Sequence, residues 1–362
     1  MISMLRYGLS LLMSCVWLAS VQAQSARESY TLTEQGETYE LVLVFDAGKQ
    51  PVYYFRDVFT PVCLDNVCKP VRIKLFWDLL GNYLRYEVPK AEPLTKLDHK
   101  EFTREDHSKL QEILSNENSL LKDFKMEDLV DSTSQGLSDS VDAITGATKN
   151  TVKGEVIEGA LYTCYTLWHL AHGTTPGEIL KITQSKLNDA LLHHFLRSDN
   201  YHYVYFALGE VMDTEGLVRA GFLTDVLTLL ESDNVFAARR VWERINLSYF
   251  ATDKMQEQLW HVFDRSPYTQ QVAMLKKISE LSLDSAVVLQ IVDYLPQLNQ
   301  ALFKQALSVL ASQETLSKAA QEKLMAYLTA PDKERARAVY EVMKQHKQIR
   351  ENFNEQLRTY KP

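Results

Sequence analysis

The chain predicts an α+β N-terminal domain, an antiparallel sheet with helices, followed by an all-α solenoid of helix pairs. Two observations lead there. Short β-branched and aromatic runs separated by turn residues fill positions 24 to 90, which is the pattern of half-buried strands. From Thr174 onward the apolar spacing is helical almost without interruption, and it repeats at a fixed offset.

The strand candidates are Tyr39 to Phe45, Val52 to Phe55, Val71 to Phe76 and Tyr83 to Val88. Asp46-Ala47-Gly48 and Leu80-Gly81-Asn82 supply the hairpin turns. From Pro93 the pattern becomes helical, and Thr103 with Asp106 forms an N-cap ahead of Leu110, Ile113 and Leu114. Residues 131 to 140 read as a polar loop. Beyond residue 148, Val152, Val156, Ala160, Cys164, Trp168 and Ala171 have the spacing of one helix face. Gly154 and Gly159 each cost such a helix about 1 kcal/mol, so it starts late or breaks near Gly154. Thr175-Pro176 opens the next helix, with a capping hydroxyl and proline in the first turn.

The repeat has a period of 34 residues, visible as Ser198, Ser232 and Ser266 and as Ser198-Asp199-Asn200 recurring in Ser232-Asp233-Asn234. The same offset keeps apolar character at Leu192, Val226, Trp260, Tyr294 and Leu328, and at Val204, Ala238, Val272, Ala306 and Tyr340. It does so again at Ala207, Val241, Leu275, Val309 and Met343. Stacked helix pairs bury a continuous core only through their neighbours, which is what such a period encodes. The pattern resembles HEAT-type repeats more than tetratricopeptide repeats, whose Trp-Leu-Gly-Tyr signature is missing. A charged last helix, from about Asp332 to Thr359, is expected to cap the stack.

Composition narrows the function. With 39 basic against 47 acidic residues the net charge is −8, so there is no basic stripe for nucleic acid. Arg6, the apolar run Leu9 to Val21 and the small residues around Ala23 form a secretory signal peptide, 1–23, which implies a periplasmic or secreted chain. Leu12-Met13-Ser14-Cys15 faintly resembles a lipoprotein box, but the apolar run continues past Cys15. In an oxidising compartment Cys63 and Cys68 are expected to close a small disulfide loop, and Cys164 to be a buried thiol on the apolar stripe.

Residues 142 to 148 read Asp-Ala-Ile-Thr-Gly-Ala-Thr. Gly146 lets backbone approach a ligand closely, Asp142 and Thr145 suit a hydrogen-bonded turn, and Thr148 offers a hydroxyl. The heptad resembles the covalent flavinylation motif of the FMN-binding domain family, found in subunits of sodium-translocating NADH:quinone reductase and related electron-transfer complexes. The resemblance implies FMN joined by a phosphoester to Thr148, with Asp142, Thr145, Gly146 and Ala147 as recognition loop and phosphate cradle. It also implies a flavin transferase that installs the group, and a redox protein or quinone-linked membrane complex as electron partner. On that basis residues 24–172 form an FMN-binding-like domain and 173–362 a HEAT-like repeat domain that docks a protein partner. The phosphate is expected beside the N-terminus of the following helix.

Other constellations are weaker. His169 with His172, and His193 with His194, invite a metal reading, but no carboxylate or cysteine completes a ligand set, and solvent-facing or satisfied histidines are the simpler account. Asp98-His99 with Asp106-His107 lacks a nucleophile at a motif-like spacing. Tyr162, Tyr165, Trp168, Phe76, Trp77 and Tyr83 are all eligible to contact a flavin ring, although the run Leu161 to Trp168 reads first as core. Hydrolase, nicotinamide and P-loop motifs are missing from the sequence. The reading is an exported electron-transfer flavoprotein, with catalytic turnover left open. The alternative is a cofactor-free exported scaffold that binds a partner through its repeats; a non-covalently held flavin is a third option.

Overall fold

The computed structural model describes residues 26–34, 36–63, 68–131, 147–148 and 152–360. The signal-peptide assignment, 1–23, lies outside them. The chain divides into two compact units, Met1–Lys186 and Leu187–Pro362.

The first unit is built on an antiparallel meander of β1 (Arg27–Glu34), β2 (Glu37–Phe45), β3 (Pro51–Thr60), β4 (Val71–Trp77) and β5 (Tyr83–Glu87), paired in chain order. Four strands coincide with the apolar runs. β1 does not: Arg-Glu-Ser-Tyr-Thr-Leu-Thr-Glu is exposed or half-buried throughout, and its ladder to β2 holds it at the sheet edge. Cys63 and Cys68 are disulfide-bonded across the β3–β4 connection, with Cα atoms 5.6 Å apart.

Strand alternation sorts the apolar residues onto two faces. The registers Leu43↔Tyr54 and Tyr54↔Trp77 place these three on one face with Leu41, Ile73 and Leu75, and all six are fully buried. On this side lie α1 (Arg104–Ser115), α2 (Leu161–His172) and α3 (Thr175–Ser185). Trp77 Nε1 donates to the Ala171 carbonyl at 2.8 Å, and the Tyr54 hydroxyl pairs with Thr183 Oγ1 at 3.0 Å. The turn after β4 uses Gly81 at φ +88, where a Cβ would come within 2.7 Å of the Pro176 carbonyl oxygen. The opposite face carries Val42, Val44, Phe55 and Phe76, also buried. Long cationic side chains cover its rings, with Lys74 Nζ 4.6 Å from the Phe55 centroid and the Arg85 guanidinium 3.7 Å from that of Phe76.

α1 has the capping box its sequence promised. Thr103 Oγ1 accepts from Asp106 N, and Asp106 returns the bond to Thr103 N. Its buried residues are Leu110, Ile113 and Leu114. α3 begins at Thr175, but the Thr175 hydroxyl does not cap it. That hydroxyl accepts from Arg56 Nη1 at 3.3 Å instead.

The second unit is helical: α4 (Asp189–Leu196), α5 (Tyr201–Val211), α6 (Leu223–Thr228), α7 (Val235–Arg244), α8 (Asp253–Arg265), α9 (Tyr268–Ile278), α10 (Ser285–Tyr294), α11 (Gln300–Ser312), α12 (Lys318–Tyr327) and α13 (Lys333–Gln345), then α14 (Lys347–Asn352) and α15 (Asn354–Thr359). α5, α7, α9, α11 and α13 each pack on the next, which is the ladder of a helix-pair solenoid. The period has a clear structural meaning there. Ala207, Val241, Leu275, Val309 and Met343 occupy these five helices in turn and are all 0 % exposed. The recurring Ser-Asp-Asn is a helix start, because Asn200 caps α5 through His202 N and Asn234 caps α7 through Ala237 N. Buried glutamines tie neighbouring repeats: Gln256 donates to the Phe250 and Ser282 carbonyls and accepts from Asp284 N. The expected last helix is broken, because His346 is extended and turns its Nε2 to the Leu310 carbonyl at 3.0 Å.

Candidate functional site

Of the heptad, Asp142, Thr145 and Gly146 lie outside the described residues, and Ala147 and Thr148 are placed by their backbone. Ala147–Thr148 forms β7, paired antiparallel with β6 (Val130–Asp131) through Val130↔Thr148 and Asp131↔Ala147.

The helix expected directly after the motif starts later. Val152 leads into a 3₁₀ turn, Lys153–Glu155, and α2 begins only at Leu161. Gly159 explains the delay. It sits at φ +76, outside helical space, and its carbonyl accepts from Leu97 N at 2.7 Å. Ile157 N turns back to Cys164 Sγ at 3.4 Å. The stripe from Val152 to Ala171 is buried at every position, but its first half is irregular backbone. A phosphate on Thr148 would thus not sit at the first turn of a helix immediately following it in the chain.

A set of ring side chains on α2 holds the segment that leads in the chain to β6. The carbonyls at the end of α1 have no partner within that helix. His172 Nε2 meets the Leu114 carbonyl at 2.8 Å, Trp168 Nε1 donates to Asn116 O at 2.9 Å, His169 Nε2 meets Leu121 O at 3.1 Å, and the Tyr165 hydroxyl donates to Phe124 O at 3.0 Å. The rings also contact one another, Tyr165 to His169 at 4.2 Å and Trp168 to His172 at 4.8 Å. The 114–124 segment, so fixed, runs into the 3₁₀ turn Met126–Asp128 and β6. On the far side of the motif, Ser119 Oγ donates to Glu155 at 2.6 Å. The stretch before β6 and the 3₁₀ turn after Val152 are thereby tied to each other.

These bonds give His169 and His172 a structural role. A carbonyl only accepts, so each Nε2 carries a proton. Burial holds both rings below the ordinary imidazole value of 6.5, partly offset by the bonds to Leu121 and Leu114. The unfolded chain then binds more protons in this range, so stability is complete above 6.5 and declines as pH falls through it. Thermal unfolding is expected at a lower midpoint at about pH 5.5 than at about pH 7.5. His172→Gln, which keeps an N–H donor, should flatten that dependence. A midpoint that rises on acidification, or a variant with an unchanged slope, would contradict it.

The remaining candidates separate. Trp77 and Phe76 lie on opposite sheet faces. Tyr83 bonds Gln111 Oε1 at 2.9 Å. Asp106 is consumed by the capping box and by Lys96 at 2.8 Å, while His107 pairs with the Tyr86 hydroxyl at 2.7 Å. Asp98 and His99 are exposed in a turn of positive φ. His193 binds Asp225 and stacks on Phe222 at 4.3 Å, and Arg197 Nε donates to the same carboxylate at 2.8 Å. Burial would raise the Asp225 pKa, but the bonds from Arg197 and His193 leave it lowered overall. Sequence reading passed over Asp225, whose partners lie on a different helix. Among the described residues no three His, Cys, Asp or Glu side chains converge as a metal-ligand set, and no helix is long and apolar enough to cross a membrane.

No family model matches the chain, and no curated protein and no solved structure does. The resemblance to the FMN-binding family therefore rests on the heptad itself.

Proposed function

We propose that this is an exported electron-transfer flavoprotein with FMN esterified to Thr148, and with a helical unit that docks a protein partner. The observation carrying it is the heptad Asp142-Ala143-Ile144-Thr145-Gly146-Ala147-Thr148, which matches every defined position of the flavinylation motif. Ala147 and Thr148 pair with Asp131 and Val130 in a short ladder distinct from the five-stranded sheet.

FMN, when bound, supplies the electron exchange. The chain's own residues do the rest. Tyr165, Trp168, His169 and His172 hold the 114–124 segment, which leads in the chain to the strand paired with Thr148. Asp142, Thr145, Gly146 and Ala147 would be read by the transferase and would cradle the phosphate.

Intact mass decides the point, on protein expressed with export and a flavin transferase. The wild type is expected to carry one FMN ester and Thr148→Ala none. Colour that leaves on denaturation, with unmodified mass, would replace the ester by a non-covalent site. Colourless, unmodified protein in both cases would leave a cofactor-free repeat scaffold as the function.

A further inference from the structure

In the first unit an open cleft of about 730 Å³ lies between α1 and the chain that leaves β5. Its helical side is one stripe of α1, where Arg104, His107, Ser108 and Gln111 have the spacing of neighbours on a helix surface. Val88, Pro89 and Pro93 form an apolar wall opposite, with Lys90 among them. The volume falls within the range of small-molecule sites, which pair such walls with a few polar groups.

No carboxylate lines this cleft. Glu87 pairs with Arg85, Glu92 with Arg72 at 3.1 Å, and Asp106 with Thr103 N and Lys96, both at 2.8 Å. Glu105 and Glu112 on α1 fall outside the stripe by their helical phase. The cations, in contrast, are uncommitted. Lys90 and Arg104 are exposed and form no ion pair among the described residues, on a chain whose net charge is −8.

His107 is the fixed point of the site. Its Nδ1 lies 2.7 Å from the Tyr86 hydroxyl, the Tyr86 ring stacks on it at 6.0 Å, and Phe102 meets it edge-on at 5.6 Å. Burial pushes the Tyr86 pKa up from 10, so the hydroxyl keeps its proton. The shorter contact, 2.7 Å against 3.2 Å to the His107 carbonyl, assigns that proton to Nδ1. The neutral ring then carries its own proton on Nε2, which has no partner among the described residues. A held imidazole thus offers an N–H donor beside two free cations.

We propose that this cleft binds a small organic phosphomonoester. The phosphate group carries a charge of about −2 at neutral pH and three acceptor oxygens. The Arg104 guanidinium, the Lys90 ammonium and His107 Nε2–H address those oxygens together. A guanidinium's planar fork matches a phosphate edge, and a lysine adds point charge. A dianion engages both cations, whereas a monocarboxylate leaves one of them without a partner. Val88, Pro89 and Pro93 cover the organic body, so a bare phosphate ion forgoes those contacts. Thr148 is not among the lining residues, and the site is independent of the flavin.

The test is a titration of the full mature chain with phenyl phosphate at pH 7 and fixed ionic strength. It is followed by calorimetry and by the His107 ring resonance, assigned with His107→Gln. Saturable binding with a Kd on the order of 1 mM or tighter is expected, together with a shift of the His107 signal. Lys90→Gln/Arg104→Gln, with an unchanged unfolding midpoint, should weaken binding about tenfold or more. Glu105→Gln, outside the stripe, should change it less than about twofold. Benzoate and inorganic phosphate should each bind more weakly than phenyl phosphate. An unmoved His107 signal, or equal binding by the double variant, would overturn the proposal. Inorganic phosphate or benzoate binding as tightly as phenyl phosphate would rule out the organic phosphomonoester. Capture by phosphatidic acid vesicles with no response to phenyl phosphate would replace the soluble ligand by a lipid headgroup. Thr148→Ala should leave the titration unchanged, so a failure here and a failure of the flavin reading are told apart.

Discussion

Gly216→Ala is expected to destabilise the helical unit by about 3 kcal/mol or more. Gly216 sits at φ +78 in the loop between α5 and α6, and a Cβ there would lie 1.8 Å from the Arg244 carbonyl oxygen and 2.8 Å from Asn246 N. Neither atom is the end of a flexible side chain. Asn246 N donates to the Gly216 carbonyl at 2.9 Å, so moving the loop away breaks a bond between neighbouring repeats. Gly221→Ala separates the two contributions. Gly221 has φ +92 with nothing within 4 Å of the added carbon, so it reports backbone strain alone, about 1–2 kcal/mol. Denaturant unfolding followed by circular dichroism gives both losses. If Gly216→Ala costs no more than Gly221→Ala, the close backbone approach does not exist.

The second large effect belongs to Trp77, which is 0 % exposed at the sheet–helix junction. Trp77→Ala leaves a cavity and should cost about 3–5 kcal/mol. It also strips the donor from Ala171 O, one of the last carbonyls of α2, which the helix itself cannot satisfy. Trp77→Phe keeps much of the volume and loses the bond, so a smaller loss of about 1–3 kcal/mol is expected. Because α2 also holds the 114–124 segment, Trp77→Ala should raise amide exchange in that segment as well as in the sheet. Equal stability of the two variants would mean that packing around the indole contributes little.

Much of the architecture was legible from local signals. Turn residues at Asp46 to Gly48 and Leu80 to Asn82 mark the hairpins, and Thr103 with Asp106 marks the start of α1. The 34-residue period translated into positions that are fully buried, because each repeat meets its neighbours at the same phase. The misreadings share a cause. Spacing from Val152 to Ala171 correctly signalled burial, but burial at every fourth residue does not require a helix once Gly159 takes a positive φ. β1 escaped notice because its alternation is polar and the pairing that holds it comes from β2. The break at His346 follows from a carbonyl on another helix, Leu310.

The candidate site divides along the same line. The heptad is a local feature, since the proposed attachment asks for one hydroxyl beside small residues in a fixed order, and sequence alone presents that. The strand pairing of Thr148 is non-local. Its strand partner Val130 lies well ahead of it in the chain, and the α2 rings find their acceptors on carbonyls of the 114–124 segment that leads to Val130. The roles of His169 and His172 could not be settled by spacing, because a histidine three residues from another can serve a metal or a helix end equally well. The sequence by itself determined the order of the domains, the repeat and the motif, because each depends on residues close together in the chain. Tertiary structure alone decided which buried donors meet acceptors, where helices stop, and that the Trp242 indole N–H is buried without an acceptor among the described residues, because those outcomes depend on atoms that only folding brings within hydrogen-bond reach.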